Sequence, residues 1–335
     1  MMGSPEIQGA CLYLPAVHPR LEDVLAGRSV PGLRVAVICL EDALAAGDIG
    51  SAMDVLRRLP KERSAQGPRV YVRPRNAEML AELQAWGLDR RWCGYVLPKI
   101  DVRNAATWLR PIADQPARFM PILETADVFC PTALRDLCDA LTDGPLAGCI
   151  DAVRLGGTDL FSVLGTRRPR GTTVYESILG PTLSTVACYL MSRRLPTTAP
   201  VCEALCPDDT MEAEVRRDVE GGFIGKTAVN PAQVALINRS FAVTAEELDE
   251  ARAILSSNEA VFRSRGAMCE VAPHTRWARR IEARSVAFGL RSEPALRSLA
   301  RLAQVPAHNE ATPSSSPGES APPSHRGARV DEMIA

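Results

Sequence analysis

Four acidic and four basic residues stand at or near the ends of short apolar runs in this chain. Glu41 and Asp42 follow the run 33–40 (LRVAVICL), and Glu124 follows 119–123 (FMPIL). Asp159 follows Gly156, Gly157 and Thr158, just after the run 149–155 (CIDAVRL). Arg73 closes the run 69–73 (RVYVR), with Arg75 two residues on; Lys99 follows 94–98 (GYVLP). Lys226 lies within 223–229 (FIGKTAV), ahead of Asn230. Two carboxylates completed by water and substrate oxygens make the usual shell of Mg²⁺. Glu124 and Asp159 are therefore the expected ligands of Mg²⁺ or Mn²⁺. Arg73 can grip a carboxylate or carbonyl with two parallel N–H donors, as a lysine cannot. A metal and an arginine on one oxygen would stabilise negative charge developing there, as in an enolate. Gly156 and Gly157 let the backbone come close to a ligand. Thr158, Lys99, Lys226 and Asn230 complete the expected substrate-binding set.

Each residue also has a plainer reading. Glu41 and Asp42 could open a helix, because acids favour that end. Glu124 could be a helix cap, Asp159 a turn residue and Lys99 a solvated loop residue. Arg73 and Arg75 flank Pro74, so on a strand both point to the same side. Two guanidinium groups there need anions between them. Glu41 is the expected partner of one, and a second anionic group on the substrate that of the other. The alternative pairs Arg75 with an acid of a neighbouring helix.

The elements that must bring these residues together are short and apolar. Besides the runs above, 10–15 (ACLYLP) reads as a first strand and 199–204 as a weak seventh. They are mostly not alternating, as in strands buried on both faces of a parallel sheet. Helical spacing fills 49–59, 77–86, 132–141 and 211–219, with Asn76 as an N-cap. Thr244 and Glu247 form a capping box opening a helix through Leu255. Eight strand–helix alternations predict an α/β fold, a (β/α)₈ TIM barrel with a C-terminal helical extension. In such a barrel the strand-end residues converge on the C-terminal rim. No glycine-rich phosphate turn follows the first strand, which argues against a doubly wound sheet. The barrel and its extension are expected over 8–302. A Pro- and Ser-rich segment, 303–335, is expected to be a disordered tail, dispensable for folding.

Bulk composition excludes several classes. Across 335 residues, 39 Lys and Arg balance 40 Asp and Glu, leaving a net charge of -1. No overall positive field favours nucleic acid or an anionic membrane. The start, MMGSPEIQGA, lacks the basic and apolar stretches of a secretory signal, and no apolar run reaches ~18 residues, so no membrane span is expected. Ten cysteines are scattered without any C-x-x-C pair, and the four histidines have no metal spacing. That excludes a zinc site and fits a reducing, cytoplasmic setting.

The blocks ICLEDAL, VYVRPRN, VLPKI, PILET, LGGTDLF and GFIGKTAVNP, in this order, resemble the citrate lyase beta-subunit-like branch of the HpcH/HpaI aldolase superfamily. The resemblance runs from LYLPAVHPR to EELDEARAIL. The later PHTRWARR, followed by VAFG, is similar to a subgroup of predicted carbon–carbon bond lyases of tellurium-resistance and stress gene clusters. The resemblance implies a (β/α)₈ barrel that breaks or forms a carbon–carbon bond beside a carbonyl, through a metal-stabilised enolate. Its metal ligands fall on Glu124 and Asp159 and its substrate arginine on Arg73. Glu41 matches the acid of its LEDA block, which makes Arg73 and Glu41 the expected catalytic residues. The substrate is expected to be a small anionic oxo- or hydroxy-acid, and the assembly a homo-oligomer, trimer or hexamer. Three positions depart from the family pattern: Cys39 stands for Asp, Asn230 for His and Arg75 for Asn. They lie at the expected mouth, so a coenzyme A thioester is not implied for this chain. Two alternatives stay open: a barrel of this family that hydrolyses or builds an acyl compound, and a non-catalytic binding protein of a biosynthetic cluster.

Overall fold

The computed structural model describes residues 7–62, 64–86, 92–110, 117–144, 146–205 and 207–291. The expected tail, 303–335, lies outside the described residues. Eight strands pair in parallel: β1 (Gly9–Pro15), β2 (Val35–Cys39), β3 (Arg69–Arg73), β4 (Gly94–Leu97), β5 (Arg118–Leu123), β6 (Val153–Leu155), β7 (Thr197–Thr198) and β8 (Gly225–Ala228). Neighbours follow chain order, β8 returns to β1, and a bridge between Ala199 and Lys226 joins β7 to β8. The ring is a TIM barrel, as the alternating pattern predicts.

The helices are α1 (Leu21–Leu25), α2 (Ile49–Arg58), α3 (Ala77–Ala85), α4 (Ala105–Leu109), α5 (Pro131–Asp143), α6 (Gly157–Val163), α7 (Gly180–Ser192), α8 (Asp209–Glu220), α9 (Pro231–Phe241), α10 (Ala245–Ser256) and α11 (Val271–Phe288). Their starts are written locally. Asn76 accepts the Met79 amide at 2.9 Å, and Asp208 accepts that of Met211 at 2.8 Å. Thr244 and Glu247 exchange both bonds of the capping box. β2 is buried along its whole length because the barrel interior covers one face and the helices the other.

Two expectations change. The seventh strand is Thr197–Thr198, ahead of the expected 199–204, where only Ala199 still bridges. Pro200 has no N–H to continue the ladder. The C-terminal extension also contains an antiparallel hairpin, β9 (Val261–Ser264) and β10 (Ala267–Glu270). Its two turn residues, Arg265 and Gly266, both have positive φ, as a type I′ turn requires.

The extension packs under the barrel. Val243, Leu248, Ala251, Ile254, Cys269, Ala278 and Ile281 form a small core of their own. Phe288, at the end of α11, lies against Gly9 at the N-terminal end of β1, where an added Cβ would meet its ring at 2.4 Å. α11 therefore closes the end of the barrel opposite the mouth. No helix among the described residues is long and apolar enough to cross a membrane.

Candidate active site

In-register pairing places Pro15, Cys39 and Arg73 in one row at the C-terminal ends of β1, β2 and β3. The next residues of the chain form the rim of the mouth. Arg73 Nη2 lies 2.5 Å from Glu41, 3.2 Å from Asp42 and 3.4 Å from Glu124. Lys99 Nζ lies 2.5 Å from Glu41, 3.0 Å from Asp42 and 3.6 Å from Asp159. Six residues from five strand ends thus meet in one network.

Lys99 is held in an unusual backbone state, with φ at 49°. An L-residue rarely enters this left-handed region without a compensating contact. Here it points the amide at Glu124 Oε1, 2.9 Å away, while the side chain turns to the acids across the mouth. Asn104 secures the turn by donating to the Lys99 carbonyl at 2.8 Å.

Carboxylates outnumber cations at the rim, four against two. Burial pushes the Glu124 carboxyl up to about 8; Arg73 opposes this and Asp159 adds to it. Burial and the hydrogen bond with Asp42 also raise Glu41, against Arg73 and Lys99. Asp42 falls below the ordinary value: burial would raise it, but hydrogen bonds to Glu41 and Lys99 prevail. Burial would lower Lys99, yet its bonds to Glu41 and Asp42 hold it above the usual ammonium value. Crowded carboxylates that resist ionising are what a bound cation relieves.

The residues fit a hard divalent cation. Glu124 and Asp159 supply oxygen only, as a hard cation prefers. Among the described residues no three His, Cys, Asp or Glu side chains converge on a metal-sized space. A cation here would rest on a carboxylate pair and complete its shell with water and substrate oxygens.

Six residues expected to bind substrate are placed differently. Gly156 gives its room to Glu124, not to a ligand: an added Cβ would lie 2.3 Å from Glu124 Oε2. At Gly157 an added Cβ would meet Pro200 at 3.0 Å. Arg75 turns away from the mouth. Its Nε donates to the Leu40 carbonyl at 3.3 Å, and its Nη2 donates to those of Glu41 and Leu44 at 3.2 and 2.6 Å. It straps the loop that carries Glu41 and Asp42, and among the described residues no helix acid pairs with it. Lys226 points out of the barrel to Glu214 and Asp218 on α8, at 2.7 and 2.9 Å. Strand alternation explains this: Thr227, next to it, faces inward and Lys226 outward. The Asn230 amide oxygen accepts from Ala232 at 2.7 Å and caps α9 ahead of Pro231. Thr158 donates to Glu203 at 3.3 Å.

Sequence reasoning missed Arg154. It is 2 % exposed on β6, inside the barrel and below the rim. Its Nη2 donates to Thr227 Oγ1 at 2.6 Å, and its guanidinium lies 5.4 Å from the Tyr13 ring centre. The available signal was a charged residue within an apolar strand.

With this geometry in hand, comparison with known proteins is informative. The family model of carbon–carbon bond lyases of the TIM-barrel fold matches residues 4–290. A search of curated proteins found no match. Among solved structures, a citrate lyase from Burkholderia xenovorans LB400 superposes with a TM-score of 0.67 at 18% identity, over 85% of this chain and 93% of that one. CitE from Mycobacterium tuberculosis, in complex with magnesium, acetoacetate and coenzyme A, gives 0.63 at 22% identity, over 84% and 98%. RipC from Yersinia pestis gives 0.51 at 19% identity, over 72% and 98%. At these identities the superpositions speak for the fold alone, while the family model spans most of the chain. The chain belongs to the TIM-barrel family of carbon–carbon bond lyases.

Proposed function

We propose that this protein is a lyase or aldolase dependent on Mg²⁺ or Mn²⁺, cleaving a small oxo- or hydroxy-acid beside its carbonyl through an enolate. The observation that carries the reading is the excess of carboxylates around Arg73 at the mouth. Glu124 and Asp159 would hold the cation. When bound, it would supply a Lewis acid to the substrate carbonyl oxygen. Arg73 is the residue that meets the developing charge. Its Nη2 is engaged by three acids, but its Nε is buried without a hydrogen-bond partner among the described residues. A substrate oxygen turning negative would satisfy that donor, and such a donor acts mainly in the transition state. Glu41 holds Arg73 from one oxygen and Lys99 from the other, so it orients both cations. Lys99 adds positive charge at the entrance for an anionic substrate.

Similar proteins support the substrate class. The M. tuberculosis structures hold magnesium with acetoacetate and coenzyme A, or with oxaloacetate. We carry over the short oxo-acid, because the rim here has two cations to receive one. The homo-oligomeric assembly remains part of the proposal and is readable by sedimentation.

Calorimetry with Mn²⁺ on Asp159→Asn tests the metal assignment. The variant should keep its circular dichroism spectrum and lose most of its Mn²⁺ affinity. Undiminished affinity in a folded variant would remove Asp159 as a ligand and, with it, the proposed chemistry.

A further inference from the structure

α11 carries Arg276, Arg280 and Arg284 at intervals of four residues, so all three lie on one face of the helix. That face lines a cavity of about 1300 Å³ between α8, α9, α10 and α11, at the end of the barrel opposite the mouth. Six arginines line it, against three glutamates. Trp277, on the same face, lines it too and is 38% exposed.

The three guanidinium groups are held by backbone. Arg276 donates to the Met191 carbonyl at 3.3 Å, in the last turn of α7. Arg280 donates to the carbonyls of Gly222 and Phe223, between α8 and β8. Arg284 donates to Phe241 and Ala242, at the end of α9, at 2.9 and 3.2 Å. Among the described residues none of the three has a carboxylate within ion-pair distance. In this cavity only Arg291 has one, with Glu247 at 3.9 Å. Capping helix ends explains why arginines stand here, but each helix end offers only about half a negative charge. Glu247 pulls on Arg284 from beyond ion-pair distance, and the charges of Arg276 and Arg280 are left largely uncompensated. Arg284 is 6% exposed, and burial together with Arg276 and Arg284 pushes Arg280 down to about 10.

We propose that this cavity is a second binding site, for a small organic anion bearing more than one phosphate group. Anchored guanidinium forks match phosphate oxygens two at a time and lose little freedom on binding, which favours phosphate over a single carboxylate. From Arg276 to Arg284 the helix rises about 12 Å, room for several charged groups in a row. Trp277 offers an apolar face to the rest of the ligand. The site is independent of the reading of the mouth.

Calorimetry on the full-length protein with inorganic pyrophosphate, in EDTA to remove divalent metal, tests it. Three variants divide the outcomes. Arg276→Glu alters an exposed residue held by one carbonyl. Arg280→Lys keeps the charge and loses the fork. Arg73→Lys alters the mouth alone. One pyrophosphate per chain should bind the parent and Arg73→Lys equally. Arg276→Glu and Arg280→Lys should weaken binding by about tenfold or more, as expected for loss of a charge-assisted pair, with circular dichroism unchanged. No binding at millimolar pyrophosphate would overturn the proposal. So would loss of binding in Arg73→Lys, an equal response to chloride, or parental affinity in both α11 variants. An Arg276→Glu protein that sediments as a smaller species would assign the arginines to a subunit interface and overturn it as well.

Discussion

Two clusters of charge lie on opposite sides of the strand wall. One faces the barrel mouth: Glu41, Asp42, Glu124 and Asp159 with Arg73 and Lys99. The other is sealed between β8 and α8: Glu214 and Asp218 with Lys226 and Arg168. The buried part of this cluster is balanced, two acids and two cations, and Arg168 also reaches the half-exposed Glu203 at 2.9 Å. Neutral groups also hold three of its four charges: the Val174 amide on Glu214 at 2.7 Å, the Tyr175 hydroxyl on Asp218, and the Pro200 carbonyl under Lys226 at 2.7 Å. Burial still pushes Asp218 up to about 6, against the pull of Lys226. The mouth cluster is unbalanced and reachable, with the side chains of Asp42 and Asp159 54% and 32% exposed. Both contain a lysine bridging two acids. Neutrality and enclosure fit a structural role for the sealed cluster, and surplus charge with access fits the chemistry proposed for the mouth.

The largest effect should come from unbalancing the sealed cluster. Lys226→Met leaves two buried acids facing each other with one cation, a loss of about 3–5 kcal/mol of stability. Urea denaturation measures it. Adding Glu214→Gln should recover part of the loss, since it removes one uncompensated charge. A Lys226→Met protein as stable as the parent would break the comparison.

At the mouth the effect should fall on turnover instead. Arg73→Lys keeps the charge and loses the fork. Turnover of the cleaved oxo-acid should drop by ~10²-fold or more if the arginine acts as an oxyanion donor. The denaturation midpoint should move little. A lysine variant with near-parental turnover would remove Arg73 from the chemistry.

The smallest effect should come from Arg75, which belongs to neither cluster but straps the loop after β2 that carries Glu41 and Asp42. Arg75→Ala frees three carbonyls, and we expect a loss of about 1–2 kcal/mol. Steady-state kinetics should show KM changing alike for monoanionic and dianionic substrates, because the residue reaches the site only through the loop. A selective rise for dianions would return Arg75 to the mouth.

The rim was legible because strand ends in a parallel barrel carry their polar residues just past an apolar run. Glu41, Arg73, Lys99, Glu124 and Asp159 all follow that grammar, and the structure gathers them. Lys226 breaks it from inside a strand, where one residue of phase decides between axis and helix layer. Arg154 breaks it in the other direction, being turned to the axis within a run that reads as apolar. Arg75 lies two residues past Arg73, but the strand ends at Arg73, so alternation no longer governs where its side chain points.

By itself the sequence determined seven of the eight barrel strands, five of the helices, the caps at Asn76 and Thr244 and the blocks that place the chain in its family. These are local properties, set by period, by turn chemistry and by side chains that satisfy their own neighbourhood. Beyond the Glu41–Arg73 pair that the strand order suggested, tertiary structure decided which charges face one another. Ion pairs at the mouth join residues up to 60 positions apart, as Lys99 to Asp159 and Glu41 to Lys99 show. Such pairings depend on strand phase, register and barrel closure, which settle only when the whole ring packs.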